Sequence, residues 1–484
     1  MLGTLAFRHL LVRKRRSLFL LLGFALGVGV MIVLLSVGRA MLEQSRDVSL
    51  VGGGEVTVLP RGIDIEAMRT GGLTAMYFGI DRARFLTRQV LGGPRHAELV
   101  RTVSPAIEGK LLYLCKAGRQ CRPRAVRAGA DIPSRARAVG AGLDLRQGHW
   151  RDFAADSAWI APTAQRLYDD LDRFHIPPRP DSTWAEWQYY NLVTGPNEWW
   201  YVTFLIGGAV RPPAGDGSSR WGGRMLVTHR RPDGRYERFE DSVPSRAVRF
   251  DTAGADITIG RSTVRQRDGT YGLRVDAVGE AGRVRMDLRV QPLSNRYFPP
   301  VELREGDFVS GYVVPALAAD AAGTVCVDGR CTRISGVPAY HDHNWGVWRA
   351  VTWDWGAARG TGLALLYGGV YGPAATSPLF IAVVDSLGVR QVLEFDRIAY
   401  EGAERTEGVA TDLAPRRFTL DAARGADSVH LTVEVEHALA TPTAFAADSQ
   451  LFLQMRGRFH VGGRLAGAVV SDSGSGFFET YRTR

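Results

Sequence analysis

The chain has 484 residues, 45% of them hydrophobic, with 56 glycines and 11 tryptophans. That size allows roughly two to four domains, and the composition favours turn-rich β structure over a helical bundle. The net charge of +10 comes almost wholly from arginines, with lysines only at Lys14, Lys110 and Lys116, and these interleave with Asp and Glu. No nucleic-acid-binding motif accompanies them, so no nucleic-acid partner is expected.

Residues 1–17 are short and basic, and Leu18 to Gly38 then run for 21 residues without a charge. A bilayer core takes about 20 apolar residues as helix, whereas the apolar stretch of a cleaved signal peptide is only ~7–15. The segment 18–38 therefore reads as an uncleaved transmembrane helix. Arg8, Arg13, Lys14, Arg15 and Arg16 precede it, and Arg39 is the nearest basic residue after it. The positive-inside rule then puts the N-terminus in the cytoplasm and the main body outside, as in a single-pass protein of a bacterial inner membrane. Residues 39–171 are expected to form a small α+β extracytoplasmic region. The segment 172–183 holds Pro177, Pro178 and Pro180 and reads as a linker.

From Trp184 the texture changes. Short runs rich in Val, Ile, Tyr, Phe and Trp alternate with turns: Trp200–Ile206, Gly223–His229, Val284–Val290, Gly362–Tyr367, Leu379–Val384, Val429–Val435 and Arg456–Val461. Asp-Gly pairs recur at 233–234, 268–269 and 328–329. These features predict a mainly β fold, sandwich or barrel.

The four cysteines fall into two close pairs, Cys115/Cys121 and Cys326/Cys331. Around Asp328-Gly329 a two-residue hairpin turn would leave Cys326 and Cys331 facing each other at a non-hydrogen-bonded position, with Cα atoms ~4.5 Å apart. A disulfide spans that distance. A zinc site built from both pairs is the rival, although x5 and x4 spacings are not the usual short knuckle. Two disulfides would imply an oxidising compartment, in agreement with the topology.

The chemistry is concentrated in Tyr340-His341-Asp342-His343-Asn344-Trp345-Gly346-Val347-Trp348 and in Asn197-Glu198-Trp199-Trp200-Tyr201. On a strand, Tyr340, Asp342 and Asn344 share one face, and His341, His343 and Trp345 the other. A carboxylic acid buried against aromatic rings has a raised pKa and stays protonated near neutrality, so Asp342 and Glu198 are candidate acids, Asp342 first. Trp199, Trp200, Tyr201, Trp345 and Trp348 offer π-faces to a cation. His341 or His343 would orient a water. The two histidines sit at i, i+2, a spacing two metal ligands can use, but no third ligand is evident, so neither a metal nor another cofactor is expected.

Two resemblances follow from these residues. Leu5-Ala6-Phe7-Arg8-His9-Leu10-Leu11-Val12-Arg13-Lys14-Arg15-Arg16-Ser17 and the helix after it resemble the first membrane segment of MacB/FtsX-type ABC transporter permeases. Val56–Pro60, Val103–Pro105 and Ala158–Ala161 resemble parts of the extracytoplasmic domain of those permeases. No later stretch is apolar enough to supply their other helices, so an association with a permease or its ATPase is implied, not a complete permease. Asn197–Thr203, Tyr340–Gly346, Trp353-Asp354-Trp355 and Gly474–Glu479 resemble the hydroxyneurosporene synthase (carotenoid 1,2-hydratase) and AttH-like family, over about residues 184–484. That resemblance implies two packed lipocalin-like β-domains, 184–340 and 341–484. It also implies a membrane lipid or isoprenoid ligand, with Tyr340 and Asn344 joining the aromatic residues in binding it. The reaction implied is a cofactor-independent hydro-lyase or cyclase reaction, with Asp342, Glu198, His341 and His343 at its centre. The alternative is a non-catalytic lipid-binding accessory of an ABC transporter.

Overall fold

A computed structural model describes residues 14–46, 100, 102–103, 106–114, 122–129, 132–133, 164–175, 184–208, 210, 221–305, 308–347, 351–371, 379–407, 413–443 and 450–483. Residues 1–13, the run 56–60, Cys115, Cys121, Trp348 and most of the expected linker lie outside them. The chain divides into two compact units, Met1–Gly92 with His96–Ala161, and Gly93–Arg95 with Pro162–Arg484.

The first unit contains helix α1 (Lys14–Arg46). Within it Leu22–Arg39 has a mean hydropathy of 2.0, and none of it is buried. Its length and composition suit a membrane anchor and a signal sequence alike. A short hairpin pairs Ala106–Leu114 with Arg122–Gly129.

The second unit starts with helix α2 (Ala164–Leu171) and then becomes all β. Of the twelve strands in the sheet that follows, eight form a continuous ladder: β1 (Trp184–Gly195), β2 (Glu198–Gly207), β3 (Gly222–Arg230), β4 (Tyr236–Pro244), β5 (Thr270–Gly279), β6 (Gly282–Pro292), β7 (Phe308–Val327) and β8 (Arg330–Val347). Each pairs antiparallel with the next. β8 pairs back onto β1, so the sheet closes into an up-and-down barrel. Eight strands enclose a space that side chains can just fill, as in a lipocalin. Closure also removes the unpaired edges that an open sheet would expose.

The turns use the chemistry the sequence advertises. Asp268 and Gly269 both have positive φ (50° and 79°), as do Asp328 and Gly329 (46° and 80°), which fits two-residue turns matching the strand twist. Cys326 and Cys331 stand opposite each other beside the second of these turns and form the expected disulfide, with Cα atoms 3.9 Å apart.

A second curled sheet has the same plan. Its longer strands are β9 (Thr352–Gly360), β10 (Ala364–Tyr371), β11 (Leu379–Asp385), β12 (Gly388–Phe395), β13 (Arg417–Arg424), β14 (Asp427–Thr443), β15 (Gln450–Leu465) and β16 (Ala468–Thr483). β16 pairs with β9, while β12 and β13 do not pair with each other; the ladder has nine strands and ends at β12 and at the short strand Ala399–Glu401, which pairs with β13. Side chains bridge the gap: Arg424 donates to Gln391 Oε1 at 2.9 Å, and Gln391 donates to Asp427 at 2.5 Å. The interior of this second barrel is apolar, with Leu365, Ile381, Leu393, Phe418, Leu431, Met455 and Phe478 in one cluster.

A separate aromatic layer joins the two barrels. Tyr189, Trp199, Tyr201 and Tyr340 of the first pack against Trp355, Phe380 and Phe477 of the second. Burying a side chain such as Phe477 contributes about 1.5–3 kcal/mol. The change from one barrel to the next comes between Val347 and Thr352, because β8 continues unbroken through residues 340 and 341.

Candidate functional site

β8 carries functional groups on both of its faces. It lies between β7 and β1, so its position is fixed by two ladders. The pleat sends His341, His343 and Trp345 into the first barrel and Tyr340, Asp342 and Asn344 toward the second.

Inside the barrel the histidines meet Asp172. This residue follows α2 and was expected to begin the linker, yet it is fully buried, as is the neighbouring Phe174. His341 Nε2 lies 2.9 Å from Asp172 Oδ2, and His343 Nδ1 lies 2.7 Å from Oδ1. His341 Nδ1 faces the Tyr189 carbonyl at 3.1 Å, and its ring stacks on Tyr190 at 4.0 Å. Glu186, from β1, accepts the His175 backbone N–H at 2.7 Å. Its carboxylate also stands 3.0 Å from His343 Nε2, but the approach is too oblique for a hydrogen bond. Trp345 stacks on His175 at 3.6 Å and donates Nε1–H to Glu302.

These contacts separate charge. Burial by itself would raise Asp172, but the His341 charge and the hydrogen bonds from both histidines outweigh it and hold Asp172 at about 2. Burial would lower His343, but Asp172 and Glu186 together push it up to about 10. His343 is therefore an imidazolium between two carboxylates. His175, Glu186 and His343 also bring ligand atoms within 4.8 Å of one another, the one such group among the described residues. The sequence showed no third ligand beside the two histidines; the fold brings His175 and Glu186 to His343.

On the opposite face the carboxylates lack such partners. The Tyr340 hydroxyl donates to Asp342 Oδ2 at 2.7 Å, and Asn344 Nδ2 donates to Oδ1 at 2.7 Å. Trp355 Nε1–H donates to the Tyr340 oxygen at 3.1 Å. From β16, Glu479 comes within electrostatic reach of Asp342 and accepts a hydrogen bond from Gln454 at 3.2 Å. Burial pushes Asp342 up to about 6, against the hydrogen bond from Tyr340. Burial, and then the Asp342 charge, push Glu479 up to about 8. Two like charges in one apolar layer cannot both ionise cheaply, so near neutrality the pair holds a proton. Rings surround it: Tyr340 and Phe477 are 4.6 Å apart, Tyr189 and Phe477 5.8 Å, and Tyr189 and Tyr201 5.8 Å. A cavity of about 280 Å³ opens beside them, lined by Tyr340, Phe477, Leu317, Asn191 and Arg456 among others.

The structure thus splits the expected residue set. Asp342 keeps the company of Tyr340 and Asn344, but His341 and His343 turn away from it and cannot orient a water there. Glu198 is not its partner either. Asp342 pairs across β1 with Tyr189 and then with Thr203 of β2, and Glu198 lies roughly 16 Å further along that strand. Glu198 binds His229 Nε2 at 3.1 Å, and Trp200 stacks on the same His229 ring at 3.5 Å. Trp199 and Tyr201 do face the layer between the barrels. Trp345 serves the barrel interior, and Trp348 lies outside the described residues.

Asp172, His175, Glu186, Asn191, Arg456 and Glu479 were not legible as site residues. Asp172 and His175 sat in an apparent linker. Glu479 closes the Gly474–Glu479 stretch that carried the family resemblance, but nothing in that stretch gave the acid a role. The period-2 pattern of β1, with Glu186 and Gln188 among aromatic residues, is the one signal that marks polar groups turned inward.

Comparison with known proteins returns structures and nothing else: no family model matches the sequence, and no curated protein matches it. An AttH-like protein from Nitrosomonas europaea superposes with a TM-score of 0.44 at 15% identity, covering 64% of this chain and 96% of that one. CghA in complex with Sch210972 gives 0.45 at 15% identity, covering 66% and 95%. Kievitone hydratase from Nectria haematococca gives 0.44 at 14% identity, covering 66% and 93%. None of these three concerns the permease-type resemblance of the N-terminal segment.

Proposed function

We propose that this protein is a cofactor-independent acid–base enzyme that adds water to, or cyclises, a carbon–carbon double bond of an apolar isoprenoid or polyene. The observation that carries the reading is the Asp342–Glu479 carboxyl pair, enclosed by aromatic rings next to a cavity and, among the described residues, without an arginine hydrogen-bonded to either member. Protonating an isolated alkene needs an acid that keeps its proton at neutral pH, and this pair does so. The proton adds to one alkene carbon. The positive charge left on the other is met by the π-faces of the surrounding rings. In hydration, water oxygen bonds to that carbon and its proton returns to the ionised carboxylate, so the site is regenerated. In cyclisation, a second double bond attacks that carbon in place of water, and the new cation loses a proton from an adjacent carbon to the ionised carboxylate, which leaves an alkene and regenerates the acid. Tyr340, which lines the cavity, donates its hydroxyl to Asp342 and is held in place by Trp355. A lipid-binding accessory would need the cavity but not the carboxyl pair.

The test is incubation of the detergent-extracted protein with a polyene in heavy-oxygen water. Wild-type protein should incorporate label, and Asp342→Asn should lower the rate about 10²–10⁴-fold. Undiminished incorporation by that variant overturns the reading.

A further inference from the structure

The two buried arginines near the aromatic layer differ in one respect. Arg230, 5% exposed, lies over Trp199 at 4.6 Å and is neutralised by Glu407, which it grips through two nitrogens at 2.8 and 2.9 Å. Arg456, 9% exposed, lies over Trp199 at 5.1 Å, and among the described residues no carboxylate comes within ion-pair distance of it. Its polar neighbours are neutral: Nη1 donates to Asn191 Oδ1 at 3.3 Å, and Tyr201 is kept in its phenol form by burial. A buried guanidinium without a counter-ion is costly, and protein interiors rarely tolerate one without a use.

Asn191 repeats the pattern. It is 2% exposed, and its Nδ2 has no hydrogen-bond partner. Tyr189, two residues back on the same face of β1, has an unpartnered hydroxyl as well. Arg456 and Asn191 both line the 280 Å³ cavity, together with the apolar Leu317, Phe477 and Tyr340, with Ser475, and with Arg359, which is paired with Asp320 at 2.9 Å. An unpaired cation, an orphan amide donor and an apolar chamber together define a missing group: an acceptor with negative charge at the end of a hydrocarbon. The guanidinium fork suits a carboxylate, which can accept two parallel hydrogen bonds.

We infer that the cavity between the barrels takes a ligand whose apolar chain ends in a carboxylate or an equivalent oxyanion, seated on Arg456 and Asn191. This rests on the proposed function for its chemistry but not for its binding. It narrows the substrate from any polyene hydrocarbon to an acid-bearing one. It also gives the reaction its regiochemistry, since anchoring the head fixes which double bond meets the carboxyl pair.

The experiment compares farnesoic acid with farnesol, which share a chain and differ in the head group, by calorimetric titration of the full chain in detergent. The acid should bind about tenfold to a hundredfold more tightly. Arg456→Met should erase that preference by weakening the acid far more than farnesol, a split that loss of packing would not produce. Asn191→Leu should reduce the preference in part. Equal affinities in the wild type, no measurable binding of the acid, or a preference surviving in Arg456→Met overturns the inference. Asp342→Asn separates the two readings, because it should keep the acid preference while losing turnover. A preference without turnover in the wild type refutes the enzyme and leaves the anchor standing. Turnover without a preference does the reverse.

Discussion

The two faces of β8 place the same kinds of group in opposite electrostatic states. Toward the first barrel, carboxylates face imidazoles; Asp172 is held down to about 2 and His343 is pushed up to about 10. Toward the second, one carboxyl faces another among rings, and Asp342 and Glu479 rise to about 6 and about 8. Burial acts against charge on both faces. The difference lies in the partner: a neighbour of opposite sign keeps a buried acid ionised, and one of like sign keeps it protonated. The first arrangement is suited to holding a barrel together, the second to giving up a proton. The second barrel shows the third option, an interior cluster of mainly aliphatic and aromatic side chains around Ile381, Leu431 and Phe478.

The comparison breaks most directly at Asp172. Asp172→Ala leaves the His343 imidazolium with Glu186 alone and should destabilise the fold by about 3–5 kcal/mol in urea unfolding, the cost of stripping a partner from a buried charge pair. A loss below about 1 kcal/mol, within the usual range for surface changes, would show that the interior cluster does not hold the barrel.

Acidity tests the other face. A carboxyl whose folded pKa lies above its unfolded value adds stability that is complete below about pH 4 and disappears as pH rises through the folded value. The windows are therefore up to about 6 for Asp342 and up to about 8 for Glu479. The depressed Asp172 has the reverse sign: its contribution is present above about 3.8 and is lost as pH falls toward about 2. Between pH 5 and 8 unfolding free energy should fall by on the order of 5 kcal/mol through the pair, and above about pH 6.5 His343, raised to about 10, adds to the fall with the same sign. Glu479→Gln should flatten that slope, and an unchanged slope would show that Glu479 does not hold the proton.

The smallest effect is expected at the turn that starts β8. Replacing Cys326 and Cys331 by serine opens a short loop that Asp328-Gly329 already constrains, and should lower stability by at most about 2 kcal/mol. Turnover should persist, because the hairpin tip is at the far end of β8 from Asp342.

Much of this molecule is local and was open to reading from residues alone. Alternation along Tyr340–Trp345 set which side chains share a face, because the strand repeat is two residues whatever the strand pairs with. The Asp-Gly turns placed the cysteines opposite each other, and the runs of Val, Ile and aromatics marked the strands. The partners across each face were not open in the same way. Asp172 reaches His343 only once the barrel has closed, and Glu479 and Arg456 approach Asp342 and Asn191 only once the second barrel has packed on the first. The Gly474–Glu479 stretch marked Glu479 as part of a motif, but not as the partner of Asp342. The alternation of the opening motif belongs to the sequence; whether Asp342 would meet an imidazole or another acid was decided by tertiary structure, because a buried carboxyl takes its charge state from neighbours distant in the chain.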